Sequence, residues 1–89
     1  MPTYTRSVVR EELWLILRKH VPQDASLAPE TTIAGDLALD SLAVMEIVAD
    51  VEDRFRIPMP DDTLPELRTI GDVEDALVGY LAARGRLDE

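Results

Sequence analysis

The chain is predicted to be all-α, a four-helix bundle of three main helices and a short third one. Three observations predict it. Apolar residues recur at helical spacing in three separate stretches, and prolines and glycines punctuate the intervals between them. The hydrophobic 46% of the 89 residues is mostly aliphatic, with only four aromatic side chains, which suits a small helical core. A chain of this size supports a single domain, residues 1–89, with an ordered core over about 5–84.

Val9, Leu13, Ile16, Leu17 and His20 fall at i, i+4, i+7, i+8 and i+11, which places them along one side of a helix from about Thr5 to Lys19. Arg18 and Lys19 suit the negative end of that helix, and Pro22 stops it. Trp14 lies beside the stripe, at its edge. From Val21 to Leu39 no period is sustained, and Pro22, Pro29 and Gly35 break the segment. A connection this long in a small domain is uncommon and often functional; Leu27, Ile33 and Leu37 are available to pin it across the bundle.

Val44, Ile47, Val48, Val51 and Phe55 mark the buried face of a second main helix, Ser41 to Phe55. Asp40 and Ser41 both suit its N-terminus, Arg54 and Arg56 suit its C-terminus, and Pro58 and Pro60 end it. A short helical turn is expected near Asp61 to Leu67, limited by Pro65. The last stripe is Ile70, Val73, Leu77, Tyr80 and Leu81, with Thr69 as cap, Gly85 as stop and a frayed tail beyond.

The formal charge is −9, and no Lys or Arg occurs between His20 and Arg54. Asp24, Glu30, Asp36, Asp40, Glu46, Asp50, Glu52 and Asp53 fill that window. Such a field repels nucleic acid and anionic membranes and steers cationic protein surfaces toward it; acids that merely keep a small protein soluble produce the same composition. Without cysteine there are no disulfides or thiolate metal sites. Asp50-Val51-Glu52-Asp53 lacks the alternating oxygen ligands and central glycine of a calcium loop, so no metal is expected. The N-terminus carries no apolar signal stretch and no apolar run approaches the roughly 20 residues that span a bilayer, so a cytoplasmic protein is expected.

Asp40-Ser41-Leu42 is the most informative stretch. With His20 the sole histidine and Lys19 the sole lysine, nothing supplies Ser41 with the base and orienting group of a serine hydrolase, so the chain is not expected to be an enzyme. Two readings of Ser41 stand. It is a helix cap in an acidic interaction module, or it is a hydroxyl that another enzyme modifies. The second gains from its surroundings, since Leu42, Met45 and Glu46 share a face turned away from the Val48 and Val51 stripe, an apolar spot ringed by acids. The start of a helix also favours an attached phosphate ester, through its free N–H groups and the positive end of its dipole.

These residues resemble the acyl carrier protein family, marked by Asp-Ser-Leu at the start of the second helix of a four-helix bundle. The likeness runs through Thr32-Ile33, Gly35-Asp36-Leu37, Leu39-Asp40-Ser41-Leu42, the stretch of Val48, Glu52 and Phe55, Met59-Pro60-Asp61, and Thr69-Ile70 with Val73. It implies a 4′-phosphopantetheine esterified to Ser41, flanked by Asp40 and Leu42, and installed from coenzyme A by a magnesium-dependent phosphopantetheinyl transferase. The thiol of that arm would carry acyl groups as thioesters. It further implies that Leu42, Met45, Glu46, Asp50, Glu52 and Asp53 face partner enzymes with basic patches: acyltransferase, ketosynthase or acyl-activating enzymes. An acyl chain can fold back between helices in this family. Departures are Ala43 at a commonly polar position, Arg54 and Arg56 in a commonly acidic region, and the extra Pro58 and Pro65. Asp40 before Ser41, without the Gly-Gly-His loop of peptidyl carriers, leans toward fatty-acid or polyketide service; an aminoacyl or peptidyl carrier of nonribosomal synthesis stays open. A shuttle has reason to be a monomer.

Overall fold

The computed structural model describes residues 3–58 and 67–88. Three helices follow one another: α1, Arg6–Arg18; α2, Ser41–Phe55; and α3, Ile70–Ala83. The main helices thus fall where the hydrophobic periods place them, while the expected turn at Asp61 to Leu67 and the Met59-Pro60-Asp61 step lie, but for Leu67, outside the described residues. Among the described residues no helix is long and apolar enough to cross a membrane.

Each helix starts for a local reason. The Thr5 hydroxyl accepts from the Val8 amide at 3.2 Å to open α1. Thr69 and Asp72 form a reciprocal capping box at α3, in which Thr69 Oγ1 accepts the Asp72 amide at 3.1 Å and the Asp72 carboxylate accepts the Thr69 amide at 3.1 Å. The Thr69 and Arg68 amides together hold the Asp72 carboxyl below its ordinary range. At the far end of α2, Arg56 takes the left-handed conformation, φ 58°, that usually falls to glycine.

Helix α1 packs against both α2 and α3. Val9, Leu13 and Leu17 from α1, Val51 and Phe55 from α2, and Leu77 and Leu81 from α3 meet in one fully enclosed core. Burying side chains of this size contributes about 1.5–3 kcal/mol each. Across the core's edges run two bidentate pairs: Arg10 with Glu74, at 2.8 and 3.0 Å, and Arg54 with Glu12, at 3.1 and 2.7 Å. The first ties α1 to α3 and gives the buried Glu74 carboxylate its partner.

Residues 20–40 form an ordered connection. Ile33 and Leu37 are buried, and Leu27 packs partly buried against the core, as their apolar character predicts. The segment is also bound to the start of α3: Thr32 bridges Thr69, Ile33 N–H donates to the Arg68 carbonyl at 2.9 Å, and the Ile70 and Gly71 amides donate to Thr31 and Pro29 carbonyls at 3.0 and 2.7 Å. Loop carbonyls therefore satisfy donors that a helix start leaves open. Glycine is required at 71, because an added Cβ would meet the Pro29 carbonyl oxygen at 2.9 Å.

Two expectations are corrected. His20 is not on a buried stripe but past the end of α1, half-buried, with Nε2 3.1 Å from Asp50 Oδ2. The described residues after Gly85 do not fray: Arg86 is buried, Tyr4 N–H donates to its carbonyl at 2.9 Å, and Asp88 N–H donates back to the Tyr4 carbonyl at 2.8 Å. Gly79, by contrast, is exposed inside α3 with open space around its missing Cβ. Gly79→Ala is expected to raise stability by about 0.5–1 kcal/mol, read as a higher urea midpoint with an unchanged slope.

Candidate functional site

Two short segments build the site: the turn that delivers the chain into α2, and the stretch that delivers it into α3. In the first, Thr32 and Asp36 bond reciprocally, amide to carboxylate at 2.9 Å and amide to hydroxyl at 2.8 Å. Ala38 then takes φ 53°, a left-handed conformation that costs an L-residue roughly 1 kcal/mol, and turns the chain toward α2. The sequence offers no glycine or asparagine there to announce it.

Asp40, not Ser41, is the N-cap of α2. Its side chain accepts the Ala43 amide at 2.8 Å, and its carbonyl accepts Val44 N–H at 3.0 Å. Ser41 is the first helical residue. It is exposed, and its hydroxyl makes no hydrogen bond with the described residues. The cap explanation of Ser41 thereby loses its basis, since the position it would fill is taken. A free, solvent-facing hydroxyl beside a helix start is open to an incoming enzyme.

Next to Ser41 lies an open groove of about 690 Å³. Ile33, Leu39, Val44, Met45 and Leu67 give it an apolar lining, and Asp40 and Arg68 stand with Ser41 on its walls. Beneath, between α2 and α3, an apolar void of only about 20 Å³ is enclosed by residues including Leu17, Ile47, Val51, Ile70 and Val73. That is roughly room for a single water, so the interior is packed and the groove is open. Arg68 and the groove itself were not legible in the sequence, although Arg68 is the sole cation between Arg56 and Arg84.

The expected docking residues do not all share one exposed strip. Leu42 and Met45 are 66% and 61% exposed, as large apolar side chains seldom are without a use, and Glu46 and Asp53 are exposed beside them. At 100° per residue Asp50 and Glu52 fall about 80° to either side of Leu42, so they flank the strip rather than complete it. Both are half-buried; Asp50 is turned to His20, and Glu52 is also engaged. Arg54 is drawn to Glu12 on α1, which removes most of its interruption of the acidic face.

That pairing carries a pH signature. The Arg54 guanidinium, by hydrogen bonding and then by charge, holds the Glu12 carboxyl below its ordinary 4.5. A depressed folded-state value means the contribution is complete above the ordinary value and is lost as pH falls through the lowered one. Glu12→Gln is expected to flatten the stability profile on the acid side of pH 4.5 and to leave its slope near neutrality unchanged, which urea titrations at stepped pH check.

Residues 15–77 match the family described as Phosphopantetheine attachment site. The chain belongs to this family, that of the acyl carrier proteins. Relatives include a meromycolate extension acyl carrier protein of Mycobacterium leprae, 39% identical over 51 residues, which are 57% of this chain and 44% of that protein. The chain thus spans less than half of that relative's length. An acyl carrier protein of Exiguobacterium sibiricum is 40% identical over 58 residues, 65% of this chain and 73% of the relative. Among solved structures, a hexanoyl acyl carrier protein of the Streptomyces coelicolor actinorhodin polyketide synthase has the same fold, with a TM-score of 0.67 and 24% identity over 92% of this chain and 95% of that one. The helix order and the long connection of this family member are therefore those of an acyl carrier fold.

Proposed function

We propose that this chain is an acyl carrier whose Ser41 hydroxyl accepts 4′-phosphopantetheine and which shuttles acyl intermediates between enzymes of fatty-acid or polyketide-type biosynthesis. The single observation that carries the reading is the division of labour at the start of α2: Asp40 caps the helix, and Ser41 is left exposed and without a hydrogen bond among the described residues. The residues fit the group. An ester here has the helix start behind it and an apolar groove beside it. When bound, the group supplies a thiol that holds acyl chains as thioesters.

The chain's own residues present that arm and let partners find it. Tethering turns encounters between intermediate and active site into local ones, so affinity for each partner can stay low. Leu42 and Met45 supply the apolar contact, and Glu46 and Asp53, flanked by Asp50 and Glu52, steer basic patches on the transferase, acyltransferase, ketosynthase or acyl-activating enzyme. An acyl chain rests in the groove, and reaches the packed void below only if α2 shifts from Ile70 and Val73. Such a carrier is a cytoplasmic, monomeric four-helix bundle, one domain over residues 1–89.

The test is incubation with a broad-specificity phosphopantetheinyl transferase and coenzyme A, followed by intact-mass measurement. A gain of one phosphopantetheinyl group at Ser41 is expected; an unchanged mass rejects the reading. Loading of the modified chain by acyltransferases but not by amino-acid adenylating enzymes then assigns it to acyl rather than aminoacyl traffic.

A further inference from the structure

We propose that Arg68 is a positioning residue for the phosphodiester on Ser41, holding the base of the arm against the groove. This rests on the proposed attachment at Ser41. Arg68 stands on the wall of the groove that Ser41 also lines, and no other Lys or Arg among the described residues does so. Its backbone is held on both sides: its carbonyl accepts Ile33 N–H at 2.9 Å and its amide donates to Asp72 Oδ2 at 3.0 Å. The adjoining Thr69 bridges Thr32 in the loop. The root of the side chain is thus fixed, while the side chain is exposed and makes no ion pair with the described residues.

Charge decides what it is for. Among the described residues, Asp40 is committed to the Ala43 amide, Asp36 to the Thr32 amide and Asp72 to its capping box, although the Arg68 charge also acts on Asp72 without an ion pair. A phosphodiester on Ser41 brings one permanent anion into this groove, in a stretch from Val21 to Asp53 that has no Lys or Arg of its own. A planar guanidinium matches phosphate oxygens in paired hydrogen bonds, which a solvated lysine does less well. A carboxylate on cargo is a poorer candidate partner, because it would sit at the free end of a long arm, whereas the phosphate is one bond from the Ser41 oxygen. The Ser41 and Leu42 amides of the first turn of α2 favour the same anion.

NMR on the full chain before and after transferase treatment tests this. On modification the Arg68 Nε–H resonance is expected to move. The phosphorus resonance of the wild type is expected to shift between about 10 mM and about 1 M NaCl, as screening contracts from about 30 Å to about 3 Å. Arg68→Gln should give a flat salt response, and Arg68→Lys a partial one. A wild-type Arg68 resonance indifferent to modification overturns the inference, as does an Arg68→Gln phosphorus shift and salt response equal to the wild type's. If the mass gain occurs and these signals fail, only the role of Arg68 is lost; if no mass is gained, the attachment reading falls first. Should Arg68→Gln disturb the unmodified fold, the wild-type Arg68 resonance alone decides.

Discussion

Ser41→Ala is expected to abolish the gain of phosphopantetheine while leaving stability within about 0.5 kcal/mol of the wild type. The first half follows from chemistry, since alanine offers no oxygen to esterify. The second half follows from the structure. A serine that capped α2 would take about 1 kcal/mol with it, yet the cap is the Asp40 carboxylate on the Ala43 amide. Asp40→Ala is expected to reverse the pattern, costing about 1 kcal/mol while the hydroxyl still accepts the group. Urea unfolding and intact mass on the two variants separate attachment from capping. If Ser41→Ala costs as much as Asp40→Ala, the division of labour is wrong.

The second large effect lies at the far end of α2. Arg86→Ala is expected to cost about 2–4 kcal/mol, against a total of roughly 4–13 kcal/mol for a chain of 89 residues. The buried Arg86 guanidinium donates to the Phe55 carbonyl and, at 3.0 Å, to the Arg56 carbonyl. These are helix-end acceptors that otherwise need water, and a cation also suits the negative pole of the helix. Arg86 further lies over the Tyr4 ring, 5.8 Å from its centroid, and Tyr4 meets Phe55 edge-on at 5.1 Å. Losing the arginine therefore loosens the junction of both chain ends with the core. Urea midpoints measure this, and a cost below about 0.5 kcal/mol places Arg86 with ordinary surface residues. Modification of Ser41 in Arg86→Ala should persist wherever the variant is folded, because the two sites lie at opposite ends of α2.

These two predictions differ in how much of them a reader of the sequence alone can make. Asp40-Ser41-Leu42 and the exposure of Leu42 and Met45 are local facts: helix periodicity fixes which side chains share a face, and a short motif marks the helix start. The three main helices, the cap at Thr69 and the pinning residues Ile33 and Leu37 are legible for the same reason. Asp50 is less so, because nothing along the chain says that His20, thirty positions earlier, stands beside it.

Sequence by itself determined the three main helices of this protein and singled out Ser41 as the hydroxyl proposed for modification, since both readings depend on residues within a helical turn or two of each other. Tertiary structure alone decided the rest. It brought Arg68 to the groove wall, seated Arg86 under α2 and paired Arg10 with Glu74 across 64 positions. The physical reason is that a charged side chain reads alike in any sequence whether it is solvated or paired. Only the packing of α1 against α2 and α3, driven by apolar surface with no direction of its own, determines which charges and carbonyls it brings within reach.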